Sequence, residues 1–190
     1  MTDERQISFQ RMSDLFDQAL RAYQSGDLAE AATGFQTILE QDARHADALH
    51  MLGVIAYQLG QTETAVTFLE RAVSERTPFA EAETNLGTAL LASGRSVDAI
   101  QTLQRAHAQA PDNAVVLFNL GNALRSLNDI HEAENAYEKA VSLQQDYAEA
   151  WCQLGLVRRD LGKIDGALAA YEKAVATNPK FSQALYNMAN

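Results

Sequence analysis

The stretch NLGNAL at residues 119–124 decides how this chain folds, because a near copy stands 34 residues before it. The earlier copy, NLGTAL, occupies residues 85–90 and differs at one position. The same step relates a leucine–glycine pair in four places, which are Leu52–Gly53, Leu86–Gly87, Leu120–Gly121 and Leu154–Gly155. A fixed period of this length indicates a chain assembled from stacked structural repeats.

Other residues keep the same step. An alanine follows each leucine–glycine pair at a constant distance, at Ala65, Ala99, Ala133 and Ala167. A large apolar residue comes four positions later, at Leu69, Leu103, Tyr137 and Tyr171, and alanine returns at Ala72, Ala106, Ala140 and Ala174. An earlier stretch follows more loosely, with Ala19, Ala31, Phe35 and Ile38. The pattern predicts an N-terminal extension at 1–11 that leads into the first helix, then five repeats at 12–45, 46–79, 80–113, 114–147 and 148–181, and a partial sixth at 182–190.

Each repeat is predicted to be a pair of helices, since its apolar residues recur at spacings of three and four. The turn between the two helices contains a glycine or an asparagine in all five repeats, at Gly26, Gly60, Gly94, Asn128 and Gly162. These residue types accept the left-handed conformation that ends many helices. The three prolines, Pro78, Pro111 and Pro179, stand where the second helix must end. Small residues let the helix axes approach closely, and one pair cannot bury both of its faces, so neighbouring pairs are expected to stack.

These residues resemble the tetratricopeptide repeat family. The fifth repeat carries its signature most fully, in Trp151, Leu154, Gly155, Ala167, Tyr171, Ala174 and Pro179. The first two repeats depart from it, since Gln18–Ala19 replaces Leu–Gly and Thr77 stands at the usual proline position. The resemblance implies an all-α fold, a right-handed superhelical solenoid of antiparallel helix pairs. It also implies a concave groove lined mainly by the first helix of each repeat, which in this family usually binds peptides or other proteins.

The helical wheel predicts which side chains face that groove. Asn119 lies about 200° around the helix from Leu117, which is on the packing face. The matching positions in the other repeats are Asp17, Met51, Asn85, Gln153 and Asn187. With flanking positions, the expected peptide-binding residues are Phe16, Tyr23, His50, Tyr57, Asn85, Thr88, Phe118, Asn119, Asn122, Arg125, Arg159 and Tyr186. A row of side-chain amides offers both donors and acceptors to a peptide backbone, although asparagines that simply face water are an equally open reading.

Composition narrows the classes of function. A net charge of −10 disfavours binding to nucleic acid and to anionic membrane, because phosphate binding needs a basic surface. No apolar run approaches the length of a membrane span. The single cysteine, Cys152, excludes an internal disulfide framework and indicates a reducing compartment, which favours the cytoplasm. We expect Cys152 to be a small residue on the groove side.

The sequence predicts no catalytic residue, no metal site and no cofactor. The four histidines lack metal-ligand spacing, and HEAEN at 131–135 lacks the second histidine of a zinc-protease helix. No nucleophile elbow, phosphate-cradling loop or dinucleotide fingerprint is present. The basic clamp with which some family members hold acidic chaperone termini is also unmatched, since all four lysines lie at or beyond Lys139.

Three functions follow from these observations. The first is a non-catalytic protein–protein interaction module that binds an extended peptide or partner helix in its groove. The second is the substrate-recruiting arm of a larger transferase, because the NLGNAL repeats are similar to the arm of O-linked N-acetylglucosamine transferases. In that case we expect the chain to continue beyond Asn190, where the sixth repeat stops part-way. The third is self-association through an uncapped apolar C-terminal end, with Leu185 and Met188 at packing positions.

Overall fold

The computed structural model describes the backbone of residues 2–189 and the side chains of residues 10–188. All regular structure in this part of the chain is helical, which confirms the all-α prediction. Its helices are α1 (Thr2–Gln24), α2 (Leu28–Gln41), α3 (Ala46–Gln58), α4 (Thr62–Glu75), α5 (Ala80–Ala92), α6 (Ser96–Gln109), α7 (Ala114–Ser126), α8 (Ile130–Leu143), α9 (Ala148–Asp160), α10 (Ile164–Thr177) and α11 (Ser182–Ala189).

The chain divides into two compact units, residues 1–93 and 94–190. In the first unit α1 packs on α2, α2 on α3, α3 on α4 and α4 on α5. In the second unit the same succession runs from α6 to α11. Each helix therefore packs on its neighbour in sequence, which confirms the predicted stacking of helix pairs within each unit.

The turn between the two helices of each repeat has the backbone that the sequence predicts. Gly26, Gly60, Gly94 and Gly162 have φ angles from 72° to 86°, and Asn128 has φ 63°. A side chain with a Cβ is disfavoured in this left-handed region, and asparagine tolerates it better than most residues. The prolines also fall outside the helices, since α4, α6 and α10 end two or three residues before them.

The repeated glycines lie where a large side chain of the second helix crosses the first helix. A Cβ added to Gly53 would lie 2.5 Å from Cγ of Leu69, and one added to Gly121 would lie 2.6 Å from Cε1 of Tyr137. Both large side chains are completely buried, as are the repeated alanines beside them. The periodic small and large residues therefore form the core of each repeat.

The first repeat solves the same packing problem with different residues. Ala19 stands where the later repeats have glycine, and the glycine has moved to Gly34 on α2. A Cβ on Gly34 would lie 2.7 Å from the Cβ of Ala19. One of the two facing positions must lack a Cβ, so the departure from the Leu–Gly pattern keeps the close approach of α1 and α2.

Helix α1 is longer than the first helix of the other repeats, because it begins at Thr2 and continues without interruption to Gln24. Residues 2–11, the greater part of the predicted N-terminal extension, are thus helical backbone. Among residues 2–189, no helix has both the length and the apolar character needed to cross a lipid bilayer.

Candidate functional site

The predicted binding residues lie on the first helix of each repeat, which is α1, α3 or α5 in the first unit and α7, α9 or α11 in the second. We call the side chains at these positions the first-helix face, and treat each unit by itself. Most of them are half-buried, since the flanking residues of the same helices form the core. The face is therefore carried on a rigid packing frame.

Hydrogen bonds join the first helices of successive repeats, and each spans 35 residues. Gln58 Nε2 donates to Tyr23 Oη over 2.6 Å, and Asn85 Nδ2 donates to His50 Nε2 over 2.8 Å. In the second unit Asn187 Nδ2 donates to Cys152 Sγ over 3.7 Å. The separation is one 34-residue repeat plus one residue. The equivalent of His50 in the next repeat is Thr84, for example, and the bond is made by the following residue, Asn85.

The bond between His50 and Asn85 fixes the orientation of one amide. His50 is only 4% exposed and meets the ring of Phe79 edge-on, with 5.1 Å between centroids. Burial lowers the pKa of His50, so the neutral ring accepts the amide proton at Nε2 and carries its own proton at Nδ1. No hydrogen bond within the described residues involves Asn85 Oδ1. His50 therefore supports Asn85, whose carbonyl oxygen remains for another donor.

Aromatic side chains occupy the rest of the first-helix face in the first unit. Phe16 packs edge-on against Phe35 at 5.3 Å and stacks on His45 at 5.7 Å between centroids. It also lines a pocket of about 300 Å³ together with Met12 of α1 and with residues in and just after the connection between α2 and α3. Tyr57 is 39% exposed.

Two polar side chains complete this part of the face. Tyr23 is half-buried, and its hydroxyl oxygen accepts the bond from Gln58. Thr88 is also half-buried, and its hydroxyl donates to the carbonyl oxygen of Thr84 over 3.0 Å.

In the second unit, a second amide is held in place by a core tyrosine. The Tyr137 hydroxyl donates to Asn122 Oδ1 over 2.7 Å, and no hydrogen bond within the described residues involves Asn122 Nδ2. Burial raises the pKa of Tyr137, and the positive charge of the nearby Arg125 opposes that rise. Phe118 lies between this tyrosine, at 6.0 Å, and Tyr147, at 4.9 Å between centroids. Asn119 is half-buried beside Phe118 on the same helix.

The fifth repeat differs at the equivalent positions. Leu156 replaces Asn122, and the hydroxyl of Tyr171 is buried without a hydrogen-bond partner among the described residues. Burial raises the pKa of Tyr171, and the charge of Arg159, which is exposed, opposes the rise. Tyr186 on α11 is 69% exposed.

The cysteine of this repeat does not occupy the position expected from the sequence. Cys152 is completely buried, because the core tyrosine and α11 cover it, so it is not a residue of the open face. Burial raises the pKa of its thiol, which leaves the sulfur protonated and unreactive.

The face offers aromatic surface, oriented amides and two arginines. Within residues 10–188, no group of three histidine, cysteine or acidic side chains is arranged to hold a metal ion. The 35-residue hydrogen bonds were not foreseen from the sequence. The sequence contains one sign of them. His50 and Cys152 occupy the same position of their repeats, and Asn85 and Asn187 occupy the next position of the repeats that follow.

Comparison with known protein families gives one consistent result. Models of the tetratricopeptide repeat match residues 78–146 in one case, and residues 16–81, 118–180 and 152–190 in another. Together these matches reach from residue 16 to residue 190. A search among curated proteins finds no match.

Several solved structures are similar over almost their whole length. MamA is 27% identical, with a TM-score of 0.77 over 87% of this chain and 96% of MamA. YrrB, described as a tetratricopeptide repeat protein with an unusual peptide-binding site, is 20% identical, with a TM-score of 0.77 over 93% of this chain and 91% of YrrB. TTC0263, from Thermus thermophilus, is 22% identical, with a TM-score of 0.73 over 94% and 97% of the two chains. The last two similarities concern the fold alone.

Proposed function

Because this chain belongs to the tetratricopeptide repeat family, we propose that it is a non-catalytic interaction module whose first-helix face binds an extended peptide or a partner helix. Members of this family generally act as scaffolds that bind proteins or peptides. What supports the face as the binding surface is the way its amides are held. Two of these amides, those of Asn85 and Asn122, are anchored by the fold through one atom and keep the other atom unbonded within the described residues.

Asn85 and Asn122 carry this proposal. The first commits its amide nitrogen to His50 and keeps its oxygen, whereas the second commits its oxygen to Tyr137 and keeps its nitrogen. An amide that is already oriented loses less conformational entropy when a ligand bonds to it. One unbonded acceptor and one unbonded donor match the N–H and C=O groups of a peptide backbone. Asn85 belongs to the first unit and Asn122 to the second, and each would contact its own part of a ligand.

The aromatic and basic residues supply the rest of a binding surface. Phe16 and Tyr57 in the first unit, and Phe118 in the second, offer apolar area with few rotamers, which costs little entropy on binding. Arg125 and Arg159 recur at the same position of successive repeats, where they suit an acidic side chain of the ligand. YrrB, which has a peptide-binding site on the same fold, shows that this architecture serves such a role elsewhere.

A displayed random peptide library provides the test. Peptides selected on the chain are measured by fluorescence anisotropy against the native protein and against the combined substitution Asn85→Ala, Asn119→Ala and Asn122→Leu. The leucine copies Leu156 of the fifth repeat, so the fold already accommodates it. We expect a loss of about tenfold or more in affinity, because each lost hydrogen bond to a ligand contributes about 0.5–1.5 kcal/mol.

The matched control is Asn135→Ala, which removes an exposed asparagine from the second helix α8. It should leave the affinity unchanged. Circular dichroism of the combined variant verifies that its helical content is native. Equal affinities for the native chain and the correctly folded combined variant would defeat the proposal.

A further inference from the structure

A second concave surface lies away from the first-helix face, between the second helices of the fourth and fifth repeats. It has a volume of about 670 Å³ and is lined by residues of α8, α9 and α10. We call it the second-helix furrow. Its lining includes Trp151, Leu154 and Arg158 of α9, Val141 of α8, and Lys173 and Ala176 of α10. On α9, Trp151 lies about 200° around the helix from Gln153 of the first-helix face, so the two surfaces use opposite sides of that helix.

The first unit contains the equivalent surface three repeats earlier, with an aromatic ring and a hydrogen-bonded arginine in its lining. We call this surface the closed copy and the furrow of the second unit the open copy. The lining of the closed copy includes Gln36, Leu39 and Glu40 of α2 and Ala43 just after it. These correspond at a separation of 102 residues to Glu138, Val141 and Ser142 of α8 and to Gln145 just after it. Leu52 and Arg71 correspond in the same way to Leu154 and Lys173. The equivalent volume there is about 380 Å³. Two copies of one surface can thus be compared residue by residue.

The first difference between the copies is an aromatic ring. Phe68 lines the closed copy, whereas the equivalent residue of the open copy is Ala170. Ala170 is buried in the core of the second unit and is not among the residues that line the furrow. The furrow has its own aromatic ring in Trp151, which stands in place of Leu49. An aromatic side chain therefore belongs to this surface in both copies, and a ligand with a large aromatic side chain is compatible with it.

The second difference frees a cation. In the closed copy Arg71 Nη2 donates to the carbonyl oxygen of Ala43 over 3.0 Å. In the open copy that carbonyl belongs to Gln145, and the indole Nε1 of Trp151 bonds to it over 2.9 Å. Lys173, which stands in place of Arg71, consequently makes no hydrogen bond or ion pair with the described residues and is exposed.

The other cation of the furrow is already neutralised. Arg158 donates to Glu138 over 2.7 Å and to Glu134 over 3.4 Å. Among the described residues that line the furrow, Lys173 is therefore the one cation without a salt-bridge partner. A carboxylate is its natural complement.

We propose that the second-helix furrow is a second binding site, which takes a peptide segment of a partner protein with a large aromatic side chain next to an acidic residue. The ring enters the space that Phe68 fills in the closed copy and packs against Trp151. The adjacent carboxylate reaches Lys173. This site is independent of the first-helix face, so the chain could hold two partners at once.

The chain provides its own reporter, because Trp151 is its only tryptophan and gives a single indole N–H resonance. The probes are three capped dipeptides: acetyl-Phe-Asp-amide, acetyl-Phe-Lys-amide and acetyl-Ala-Asp-amide. Each is titrated into the nitrogen-15-labelled chain. We expect acetyl-Phe-Asp-amide to shift the indole resonance and the backbone amides of the furrow, with an affinity about fivefold above that of acetyl-Phe-Lys-amide, as one screened charge pair at contact distance produces. The alanine dipeptide should cause no shift.

Two variants decide the outcome. Lys173→Glu should reverse the preference in favour of acetyl-Phe-Lys-amide, whereas the control Lys180→Glu, in the exposed loop after α10, should not change it. Trp151→Leu with Ala170→Phe copies Leu49 and Phe68 of the closed copy and should abolish the backbone shifts. The proposal is overturned if 10 mM acetyl-Phe-Asp-amide causes no shifts in the native chain, a concentration at which a binding free energy of roughly 2.7 kcal/mol gives half-saturation. The proposal is also overturned if Lys173→Glu leaves the preference for acetyl-Phe-Asp-amide over acetyl-Phe-Lys-amide unchanged. Lys173→Glu alone decides the outcome if the double variant does not fold.

Discussion

The contact between Gly121 and Tyr137 makes the stacking of the helices quantitatively testable, through the substitution Gly121→Ala. An added Cβ would lie 2.6, 2.8 and 2.9 Å from three atoms of the Tyr137 ring. The ring has no room to withdraw, since it is completely buried and its hydroxyl is bonded to Asn122. The substitution therefore forces the two helices apart rather than moving a flexible side chain.

The magnitude follows from two opposing terms. Overpacking a well-filled core costs about 1–3 kcal/mol, while replacing a glycine in the middle of a helix by alanine returns up to about 1 kcal/mol. We expect a net loss of about 1 kcal/mol in the free energy of unfolding. For a chain of this size, that corresponds to a fall of about 2–4 °C in the melting temperature.

The assay is thermal and urea unfolding followed by circular dichroism at 222 nm, a wavelength that reports helix. Gly166→Ala on α10 is the matched control, because its Cβ would meet only the flexible Arg158 side chain, at 3.3 Å from Cδ. It should leave the melting temperature equal or raise it. Adding Ala136→Gly to Gly121→Ala copies the Ala19–Gly34 pair of the first repeat and should be less destabilising than the two single losses combined. Strict additivity, or a Gly121→Ala variant as stable as the native chain, would refute the packing.

Three further predictions concern single contacts. Burial lowers the pKa of His50, so the unfolded chain binds a proton at a higher pH than the folded chain, and the free energy of unfolding falls as pH decreases below about 6.5. His50→Gln should flatten this pH dependence between pH 7 and pH 5. A slope equal to that of the control variant His131→Gln, at an exposed histidine, would contradict the prediction. Glu134 is 5% exposed and pairs with Lys163 at 2.6 Å and Arg158 at 3.4 Å, so Glu134→Ala should cost about 1–2 kcal/mol in urea unfolding, less than a fully buried pair because both cations remain partly hydrated. Glu138→Ala should cost under about 1 kcal/mol, since Glu138 is exposed, and equal losses for the two variants would be inconsistent with a buried network.

The parts of the fold that the sequence predicts are those that every repeat needs. The left-handed turn needs a glycine or an asparagine, and the close approach of the two helices needs a glycine opposite a large residue. Because few residue types meet either requirement, these residues recur in every such repeat and their period reveals them. The first repeat departs from this pattern because Ala19 and Gly34 exchange roles between the two helices. The steric requirement is the same, but it appears in a different column of the repeat.

The candidate site was predictable only as a set of positions. The helical wheel places Asn85 and Asn122 on the first-helix face, but it does not indicate that His50 and Tyr137 hold them. The bond that Asn85 donates to His50 depends on the offset between successive repeats, which adds one residue to the 34-residue period. The bond that Tyr137 donates to Asn122 depends on how the two helices of one repeat cross. Cys152 was placed wrongly for the same reason, because the helical wheel contains no tertiary contacts. The wheel puts Cys152 on the groove side, whereas in the structure α11 covers it.

The most direct test of the proposed binding face is where a selected peptide touches the chain. Nuclear magnetic resonance resolves the side-chain NH₂ groups of asparagine, and those of Asn85 and Asn122 can be assigned by substitution. On addition of a peptide selected from the random library, these two resonances should shift together with backbone amides of the first helices, while that of Asn135 on α8 stays in place. Shifts confined to the second helices, with the resonances of Asn85 and Asn122 unmoved, would contradict the account.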